Sequence, residues 1–202
     1  MIKDLRVSKI IGIILAGGEG RRMAYRNKGL MPLAGKAMIA HVIARILPQV
    51  DALYISANED LEQYAIFQLP VIQDTLQWRG KGPLAGVASA LKVLSDDDVV
   101  QVVSCDGPMI PDNLVALLSA ARKDAKMVYP KTKDREHYLY FQGKVGDLRE
   151  IESILVANDL RIRTFLAKLG AKAVYFEDEM AFLNCNHPED IQRLEEIIDE
   201  EL

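Results

Sequence analysis

Short apolar runs alternate with helix-like segments along most of the chain. The run KIIGIIL at 9–15 is continuously apolar after Lys9, which is typical of strands that are covered on both faces of a sheet. DVVQVVSCD at 98–106 is the most strand-like segment of the sequence. Helix-like segments lie between such runs, for example AMIAHVIARIL at 37–47 and PLAGVASALKVL at 83–94, which begins with a proline suited to a first helical turn. This alternation predicts a mostly parallel sheet with helices on both faces.

The remaining segments continue this pattern to the end of the chain. Further strands are predicted for ALYISA (52–57), PVIQD (70–74), KMVYP (126–130), HYLYFQG (137–143) and AKAVYF (171–176). Further helices are predicted for NLVALLSAARKDA (113–125), DLREIESILVAN (147–158), LRIRTFLAKLG (160–170) and Pro188 to Leu202. A length of 202 residues suits one domain, so we predict a single three-layer α/β/α domain with a Rossmann-like sheet.

Composition and charge exclude several classes of function. Half of the residues are hydrophobic and 27% are charged, which is ordinary for a soluble globular protein. No apolar run approaches the roughly 18 residues of a membrane span, and the N-terminus lacks a signal-peptide core. The net charge of −4 argues against a general nucleic-acid binder. Cys105 and Cys185 lie far apart, which favours neither a disulfide framework nor a zinc site. We therefore expect a cytoplasmic protein with no nucleic-acid or membrane partner.

One segment of this acidic chain is locally basic. Between Gly20 and Val50 there are six Lys or Arg side chains and no acidic one. Such a segment favours a small anionic ligand, although a solvated basic face explains the charges equally well. The six residues are Arg21, Arg22, Arg26, Lys28, Lys36 and Arg45.

Glycine-rich or polar segments follow four of the predicted strands. They are LAGG at 15–18, SAN at 56–58, QD at 73–74 and SCDGP at 104–108. Open α/β sheets bind ligands at the carboxyl ends of their strands. We therefore expect these four segments to form one site.

The segment LAGGEGRRMAYRNKGL at 15–30 does not match the two common glycine-loop motifs. The dinucleotide fingerprint requires Gly or Ala where Met23 stands. The Walker loop requires G-x-x-x-x-G-K-[ST], which neither GKA at 35–37 nor GKG at 80–82 supplies. What remains is a glycine-rich turn followed by basic side chains.

Such a turn suits a triphosphate. Glycines let the backbone N–H groups approach phosphate oxygens closely. Arg22 and Lys28 would then neutralise charge on the β- and γ-phosphates. A tight strand-to-helix turn with basic residues on the surface is the structural alternative.

Two aspartates at predicted strand ends are candidate ligands. Asp106 is either a helix N-cap or a ligand for Mg²⁺, and a neighbouring triphosphate favours the metal. Asp74 is expected to supplement that site or to bind the nucleotide, with capping as the alternative.

Several motifs together resemble the molybdenum cofactor guanylyltransferase (MobA) family, from about Ile10 to Ile191. They are LAGGEGRRM…NKGLMPLAGK, QD at 73–74, GPLAG at 82–86, CDGPMIP at 105–111 and FLNCNHPED at 182–190. The first motif alone indicates only a nucleotidyltransferase of the nucleotide-diphospho-sugar transferase fold. GPLAG and the late N-x-N-x-P-E-D narrow the resemblance to MobA.

The resemblance implies a reaction and its participants. The terminal phosphate of molybdopterin attacks the α-phosphorus of GTP, which releases pyrophosphate and forms a guanine dinucleotide cofactor. The implied cofactor is Mg²⁺, and residues 1–110 and 111–202 would form the nucleotide-binding and acceptor-side halves. A monomer that contacts other molybdenum-cofactor biosynthesis proteins or apo-enzymes transiently is also implied.

The resemblance further implies site residues. Leu15, Ala16 and Gly17 hold the guanine and ribose side through backbone groups, and Asn58 shares or replaces the role of Ser56, which stands where the family often has Asn. The implied GTP-binding residues are Leu15, Ala16, Gly17, Gly18, Lys28, Ser56, Asn58, Asp74, Gly82 and Asp106. The implied catalytic residues are Arg22, Lys28 and Asp106, with Asp106 also the metal ligand; Asn184 and Asn186 lie on the acceptor side.

Alignment and charge neutralisation would suffice for this chemistry, because the acceptor phosphate is already anionic. His41 lies in an apolar helical pattern and is expected to be structural. His137 could reach an acceptor phosphate. Trp78 either flanks a pterin or anchors its loop.

Four positions depart from the family pattern, and two other functions stay open. The departures are Ala24, Asn27, Tyr138 and His187. One alternative is another nucleotidyltransferase of the same fold, such as a molybdopterin cytidylyltransferase. The other is a catalytically silent, nucleotide-binding regulator.

Overall fold

The computed structural model describes residues 7–17 and 27–200. The strands in these ranges are β1 (Ile10–Leu15), β2 (Pro32–Leu33), β3 (Lys36–Ala37), β4 (Ala52–Ser56), β5 (Val71–Ile72), β6 (Val99–Ser104), β7 (Met127–Lys131), β8 (Gln142–Lys144) and β9 (Lys172–Tyr175). The helices are α1 (Met38–Ile46), α2 (Leu61–Ala65), α3 (Pro83–Leu91), α4 (Leu114–Ala121), α5 (Val145–Leu148), α6 (Ile151–Val156), α7 (Ile162–Lys168) and α8 (Pro188–Glu200). None of these helices is long and apolar enough to cross a membrane.

Seven of the strands form one sheet, in the order β5-β4-β1-β6-β8-β7-β9. β1 pairs in parallel with β4 on one side and with β6 on the other, and β5 extends β4 in parallel. β8 is antiparallel to both β6 and β7, and β9 is parallel to β7 at the edge. β2 and β3 form a separate antiparallel hairpin. The prediction of a mostly parallel sheet is therefore confirmed.

Each face of the sheet carries a hydrophobic core. Because neighbouring residues of a strand point to opposite faces, Ile13 packs with α3, α5, α6 and α7, whereas Ile14 packs with α1 and α4. Both isoleucines are fully buried, and burial of such a side chain contributes about 1.5–3 kcal/mol. Helices cover both faces, which confirms the predicted three-layer architecture.

Two predicted elements differ from the structure. The strand predicted at 137–143 begins only at Gln142, because the chain forms a turn in which Tyr140 N donates to His137 O at 3.1 Å. The helix predicted at 147–158 is two short helices, α5 and α6, which together begin and end slightly earlier. Both helices bury apolar side chains in the same core, including Leu148 and Ile151.

Candidate functional site

The strand register brings the predicted site segments to one edge of the sheet. Leu15, the last residue of β1, lies opposite Ser56 of β4 and Ser104 of β6. Ser56 in turn lies opposite Ile72 of β5. The residues that follow these four strand ends therefore emerge side by side, as expected for a parallel sheet.

A cavity of about 700 Å³, here called the first cavity, opens at this edge. It is lined by Leu15, Ala16, Gly17, Asn27, Ser56, Asn58, Glu59, Asp60, Asp74, Arg79, Gly80, Gly82, Pro83 and Gly86. Seven of the residues predicted to bind GTP are in this lining: Leu15, Ala16, Gly17, Ser56, Asn58, Asp74 and Gly82. The lining also holds two further acids and an arginine that the sequence did not single out. The structure thus brings together most of the predicted nucleotide side.

Asn58 and Asp74 form a reciprocal pair in the first cavity. Asn58 Nδ2 donates to Asp74 Oδ2 at 2.8 Å, and Asp74 N donates to Asn58 Oδ1 at 2.8 Å. Burial raises the pKa of the Asp74 carboxyl, and the hydrogen bond from Asn58 partly offsets this. Thr75, not Asp74, occupies the N-cap position of the short turn at 76–78, so capping is excluded as the role of Asp74.

Lys28 and Asp106 form an ion pair beside the first cavity. Lys28 Nζ lies 3.0 Å from Asp106 Oδ2 and also donates to Asn186 Oδ1 at 2.7 Å. The other carboxylate oxygen, Asp106 Oδ1, accepts a hydrogen bond from Ser104 Oγ at 2.5 Å. The Lys28 and Asp106 side chains are 22% and 12% exposed, so the pair is screened from bulk water yet open to a ligand. Asp106 is not a helix cap, because α4 begins only at Leu114.

The late motif at 182–190 forms a hydrogen bond with the backbone of Asp106. Cys185 N donates to Asp106 O at 2.7 Å. The carboxylate of Asp190, in the first turn of α8, accepts from the backbone N–H groups of Asn186 and His187 at 2.8 Å each. This interaction fixes the chain at Asn186 and aims its side-chain oxygen at Lys28. The predicted acceptor-side residue Asn186 therefore contacts Lys28.

A second cavity, of about 300 Å³, is lined in part by Asn186, the residue that accepts a hydrogen bond from Lys28. It is lined by Arg135, Glu136, His137, Tyr138, Leu139, Tyr140, Phe182, Asn184 and Asn186. The rings of His137 and Phe182 stack at a centroid distance of 4.6 Å, and Tyr140 meets Phe182 edge-on at 5.3 Å. Both predicted acceptor-side asparagines are in this lining.

His137 cannot act as a cation in the second cavity at neutral pH. Burial, with a smaller contribution from the charge of Arg135, lowers the pKa of His137 to about 4. Its Nε2 lies 3.0 Å from Thr132 Oγ1, so the neutral ring is held by a hydrogen bond and by stacking. His137 is a wall of the cavity, not a phosphate-binding charge.

The two cysteines near Asp106 are protonated thiols. Burial, followed by the charge of Asp106, raises the pKa of Cys105 well above its usual range. Burial and the charge of Asp190 raise the pKa of Cys185 to about 11. Because the thiolate is the reactive form, neither side chain is suited to nucleophilic catalysis.

Several predicted residues have other positions or lie outside the described residues. Gly18 and Arg22, with Arg21, Arg26 and Ala24, fall outside the described residues. Lys36 lies exposed in the β2–β3 hairpin, and Arg45 of α1 lies 3.9 Å from Asp112. Among the described residues of the basic segment, Lys28 is therefore the one that pairs with Asp106.

Two side chains predicted to be structural or ambiguous have structural roles. His41 Nε2 lies 2.8 Å from Leu33 O, which ties α1 to the hairpin, as expected for a structural histidine. Trp78 is 8% exposed and belongs to the core that includes residues of α3, which favours the interpretation that it anchors its loop.

The departure at Asn27 has a physical reason. Asn27 Nδ2 donates to Asp60 Oδ2 at 3.0 Å, whereas Asn27 Oδ1 accepts from the Tyr64 hydroxyl at 2.6 Å. An aspartate at position 27 would set two carboxylate oxygens against each other at this distance, which is unfavourable. Asn27 and Asp60 are therefore complementary.

Some residues at the site were not named individually as candidates from the sequence. Arg79 and Asp60 enter the first cavity from loops, and Ser104 and Asp190 act by orienting Asp106 and Asn186. Of these, only Asp190 belonged to a recognised motif. A single loop residue has no periodicity that could reveal its role.

The donor set at Asp106 suits a hard cation that is shared with a substrate. No group of three or more His, Cys, Asp or Glu side chains that could hold a metal occurs within residues 7–17 and 27–200. Asp106 presents one carboxylate, and Mg²⁺ commonly uses one or two carboxylates together with phosphate oxygens and water. The residues therefore fit a cation that arrives with phosphates.

The fold and the site define a class. The parallel strand ends open on one cavity, and the nearby Lys–Asp pair hydrogen-bonds to the lining of a second, which suits the transfer of a group between two substrates. Two solved structures share this fold: molybdopterin-guanine dinucleotide biosynthesis protein A from Archaeoglobus fulgidus, with a TM-score of 0.75, 22% identity and coverage of 94% of this chain and 99% of the other; and CMP:2-keto-3-deoxy-manno-octonic acid synthetase complexed with CTP, with a TM-score of 0.74, 16% identity and coverage of 96% and 100%. These similarities confirm the predicted nucleotide-diphospho-sugar transferase fold.

Residues 12–174 match the family of the MobA-like NTP transferase domain, and the chain belongs to this family. The molybdenum cofactor guanylyltransferase of Cereibacter sphaeroides is 35% identical over 192 residues, which cover 94% of this chain and 97% of the relative. The protein of the same name from Shewanella sp. strain MR-4 is 40% identical over 190 residues, which cover 92% of this chain and 95% of the relative. The family resemblance inferred from the motifs is confirmed.

Proposed function

We propose that this protein transfers GMP from GTP to the terminal phosphate of molybdopterin, with release of pyrophosphate. The observation that carries the proposal is the position of the Lys28–Asp106 pair between two cavities. Asn27, next to Lys28 in the chain, lines the first cavity, and Asn186, which accepts a hydrogen bond from Lys28, lines the second. Guanylyltransferase relatives that match over nearly the whole chain support the choice of substrates.

The two cavities are lined by different parts of the chain. The first is lined by residues between Leu15 and Gly86, and the second by residues between Arg135 and Asn186. We assign the nucleotide to the first cavity and the acceptor to the second. Lys28 and Asp106 would then face the phosphates of both substrates.

Charge sets the direction of the nucleotide in the first cavity. Three carboxylates, those of Glu59, Asp60 and Asp74, outnumber the single cation Arg79 in its described lining, so the net charge would repel a triphosphate. Guanine N–H groups and ribose hydroxyls are hydrogen-bond donors, and carboxylates are acceptors. The nucleoside therefore belongs among the acids, and the triphosphate extends towards Lys28 and the glycine-rich segment.

Asp106 is the residue that would hold Mg²⁺. When bound, the ion supplies positive charge to the phosphate oxygens and lowers the repulsion between two anionic substrates. Lys28 would leave Asp106 Oδ2 and contact the phosphates, because its flexible side chain carries a point charge that is already at the site. Ser104 keeps the other carboxylate oxygen in place through its 2.5 Å hydrogen bond.

The transfer requires alignment more than proton transfer. The acceptor phosphate is an anion and a competent nucleophile, so its oxygen attacks the α-phosphorus directly while pyrophosphate departs from the opposite side. Lys28 donates to Asn186, which lines the acceptor cavity, and also to Asp106. The thiol form of both nearby cysteines agrees with a mechanism without a covalent enzyme intermediate.

The test is pyrophosphate release by the purified protein with Mg²⁺ and metal-loaded molybdopterin, with GTP and CTP compared at equal concentration. We expect release with GTP and little with CTP. Preference for CTP would identify a cytidylyltransferase of the same fold. Binding of GTP without any release by fresh protein would instead identify a nucleotide-binding regulator, and either outcome would overturn the proposal.

A further inference from the structure

Two fully buried tyrosines lie against the site, one near Lys28 and the other near Asp106. Tyr64, in α2, is 0% exposed, and Tyr140, in the turn before β8, is 1% exposed. Each hydroxyl donates to the side-chain oxygen of an asparagine at the site: Tyr64 to Asn27 Oδ1 at 2.6 Å, and Tyr140 to Asn184 Oδ1 at 2.9 Å. A buried phenol hydroxyl needs such a partner, because an unsatisfied one is costly.

Tyr64 hydrogen-bonds to residues near both ends of the glycine-rich segment 15–30. Its oxygen lies 2.6 Å from Asn27 Oδ1 and 3.4 Å from Ala16 O. A hydroxyl has one proton, and the shorter distance assigns it to Asn27, so Ala16 O is a weak second acceptor. Asn27 precedes Lys28 and also bonds Asp60. The hydroxyl of Tyr64 therefore fixes the point from which Lys28 extends.

Tyr140 holds the acceptor side in the same manner. Asn184 lines the second cavity, and its side-chain oxygen receives the Tyr140 proton. Asn184 O in turn accepts from Asn186 Nδ2 at 3.4 Å, while Asn186 Oδ1 accepts from Lys28. The Tyr140 hydroxyl thus orients the asparagine pair that meets the lysine.

Glycines let both turns of the site rest on these hydroxyls. A Cβ at Gly29, next to Lys28, would lie 2.7 Å from the Tyr64 oxygen. A Cβ at Gly107, next to Asp106, would lie closer still to the Tyr140 oxygen. Burial raises the pKa of both tyrosines well above the usual range, so each remains a neutral donor. The backbone beside each reacting charge is therefore in contact with a fixed donor.

We propose that Tyr64 and Tyr140 are paired positioning residues, with Tyr64 setting the nucleotide side of the site and Tyr140 setting the acceptor side. The proposal rests on the function proposed above. If the two side chains served only as core packing, loss of either hydroxyl would lower stability and affect both substrates alike. If they position the site, each loss affects mainly its own substrate.

The experiment compares Tyr64→Phe with Tyr140→Phe, each of which is the matched control for the other because both lose one buried hydroxyl and keep the ring. Calorimetric titration gives the Kd for GTP, and steady-state kinetics gives the KM for GTP and for molybdopterin. We expect Tyr64→Phe to raise the Kd and KM for GTP about 3- to 10-fold with little change in the KM for the acceptor. Tyr140→Phe should raise the KM for the acceptor by a similar factor and leave the Kd for GTP unchanged.

A second pair of variants covers the case in which a tyrosine variant does not fold. Asn27→Ala and Asn184→Ala remove the other end of each hydrogen bond, on half-buried residues. They should reproduce the same division between the two substrates. Equal changes for both substrates in every variant, or no change at all, would overturn the positioning roles while leaving GMP transfer by the wild type intact. Failure of the wild type to bind GTP would instead overturn the proposed function itself.

Discussion

The two cavities are built in different ways. The first lies at the ends of the parallel strands β1, β4 and β5, where the register fixes the relative height of each residue. The second is formed by two non-repetitive segments, 135–141 and 182–186, that meet beside Asp106. Carboxylates and amides line the first, whereas aromatic rings line much of the second. A regular sheet edge thus provides the nucleotide side, and side-chain interactions between loops provide the acceptor side.

This difference implies different sensitivities to mutation. Groups of the first cavity are held by backbone pairing, so their substitution should change chemistry more than architecture. Groups of the second are held by stacking and hydrogen bonds between side chains, so their substitution should also change stability. The following predictions test this division.

Asp106→Asn should have the largest effect. It removes the carboxylate that would hold Mg²⁺ and that pairs with Lys28, so we expect turnover to fall roughly 10²–10³-fold. Pyrophosphate release measures this directly, and the thermal midpoint should change little. Asp147→Asn is the control, because Asp147 also lies near a lysine, at 3.7 Å from Lys126, but on α5. Unchanged turnover in Asp106→Asn would mean that the phosphates are neutralised elsewhere.

Lys28→Ala should weaken the binding of GTP roughly 10- to 100-fold, because it removes a charged donor to the phosphates. Calorimetric titration gives the affinity. Lys172→Ala is the matched control, since Lys172 donates to a backbone carbonyl on the far edge of the sheet, at 2.9 Å from Asp124 O. Equal affinity in the wild type and Lys28→Ala would contradict the assignment of the triphosphate to this end of the cavity.

Asp74→Asn should weaken GTP binding by about 3- to 10-fold but should not destabilise the protein at pH 7. Burial raises the pKa of Asp74 in the folded state, so its contribution to stability is full below the unfolded pKa and is lost as the pH rises through the folded value. Asparagine avoids this loss and keeps the hydrogen bond from Asn58. The free energy of unfolding of the variant should therefore equal or exceed that of the wild type at pH 7.

Urea unfolding at pH 4 and at pH 7 tests the sign of this effect. Any advantage of Asp74→Asn at pH 7 should shrink as the pH falls. Glu59→Gln, which removes an exposed carboxylate from the same cavity, is the matched control. A variant that is less stable than the wild type at pH 7 would show that the carboxylate stabilises the fold.

His137→Gln should have the smallest effect on function and should act through stability, including its dependence on acid pH. Burial lowers the folded pKa of His137 to about 4, so its contribution is present above the unfolded pKa of about 6.5 and is lost as the pH falls through the folded value. The variant should lose less stability than the wild type between these two pH values in urea unfolding. His187→Gln, which removes an exposed histidine, is the matched control. Identical pH dependence of stability in all three proteins would mean that His137 does not titrate in this range.

The sequence predicted the first cavity well because periodicity locates strands and parallel strands align their ends. Leu15, Asn58 and Asp74 could be expected together from that rule alone, before any family was considered. The fold class followed from the same alternation. The same rule does not predict the positions of Arg79 and Asp60, because these residues enter the cavity from loops.

The second cavity was predicted only in part because its geometry depends on side chains that meet across loops. HYLYFQG has the alternation of a strand, yet its first residues form a turn that brings the Tyr140 hydroxyl into hydrogen-bond contact with Asn184. A tyrosine in an apolar pattern is indistinguishable from ordinary core, and Tyr64 illustrates the same limit in a helix. The asparagines were found only through the family motif.

The central claim is that a nucleotide and an acceptor meet at the Lys28–Asp106 pair from opposite cavities. A crystal structure with GTP and Mg²⁺ tests it most directly. We predict the guanosine in the first cavity beside Asp74, with the triphosphate directed at Lys28 and the ion at Asp106. Guanosine in the second cavity, or phosphates directed away from Lys28, would contradict the account.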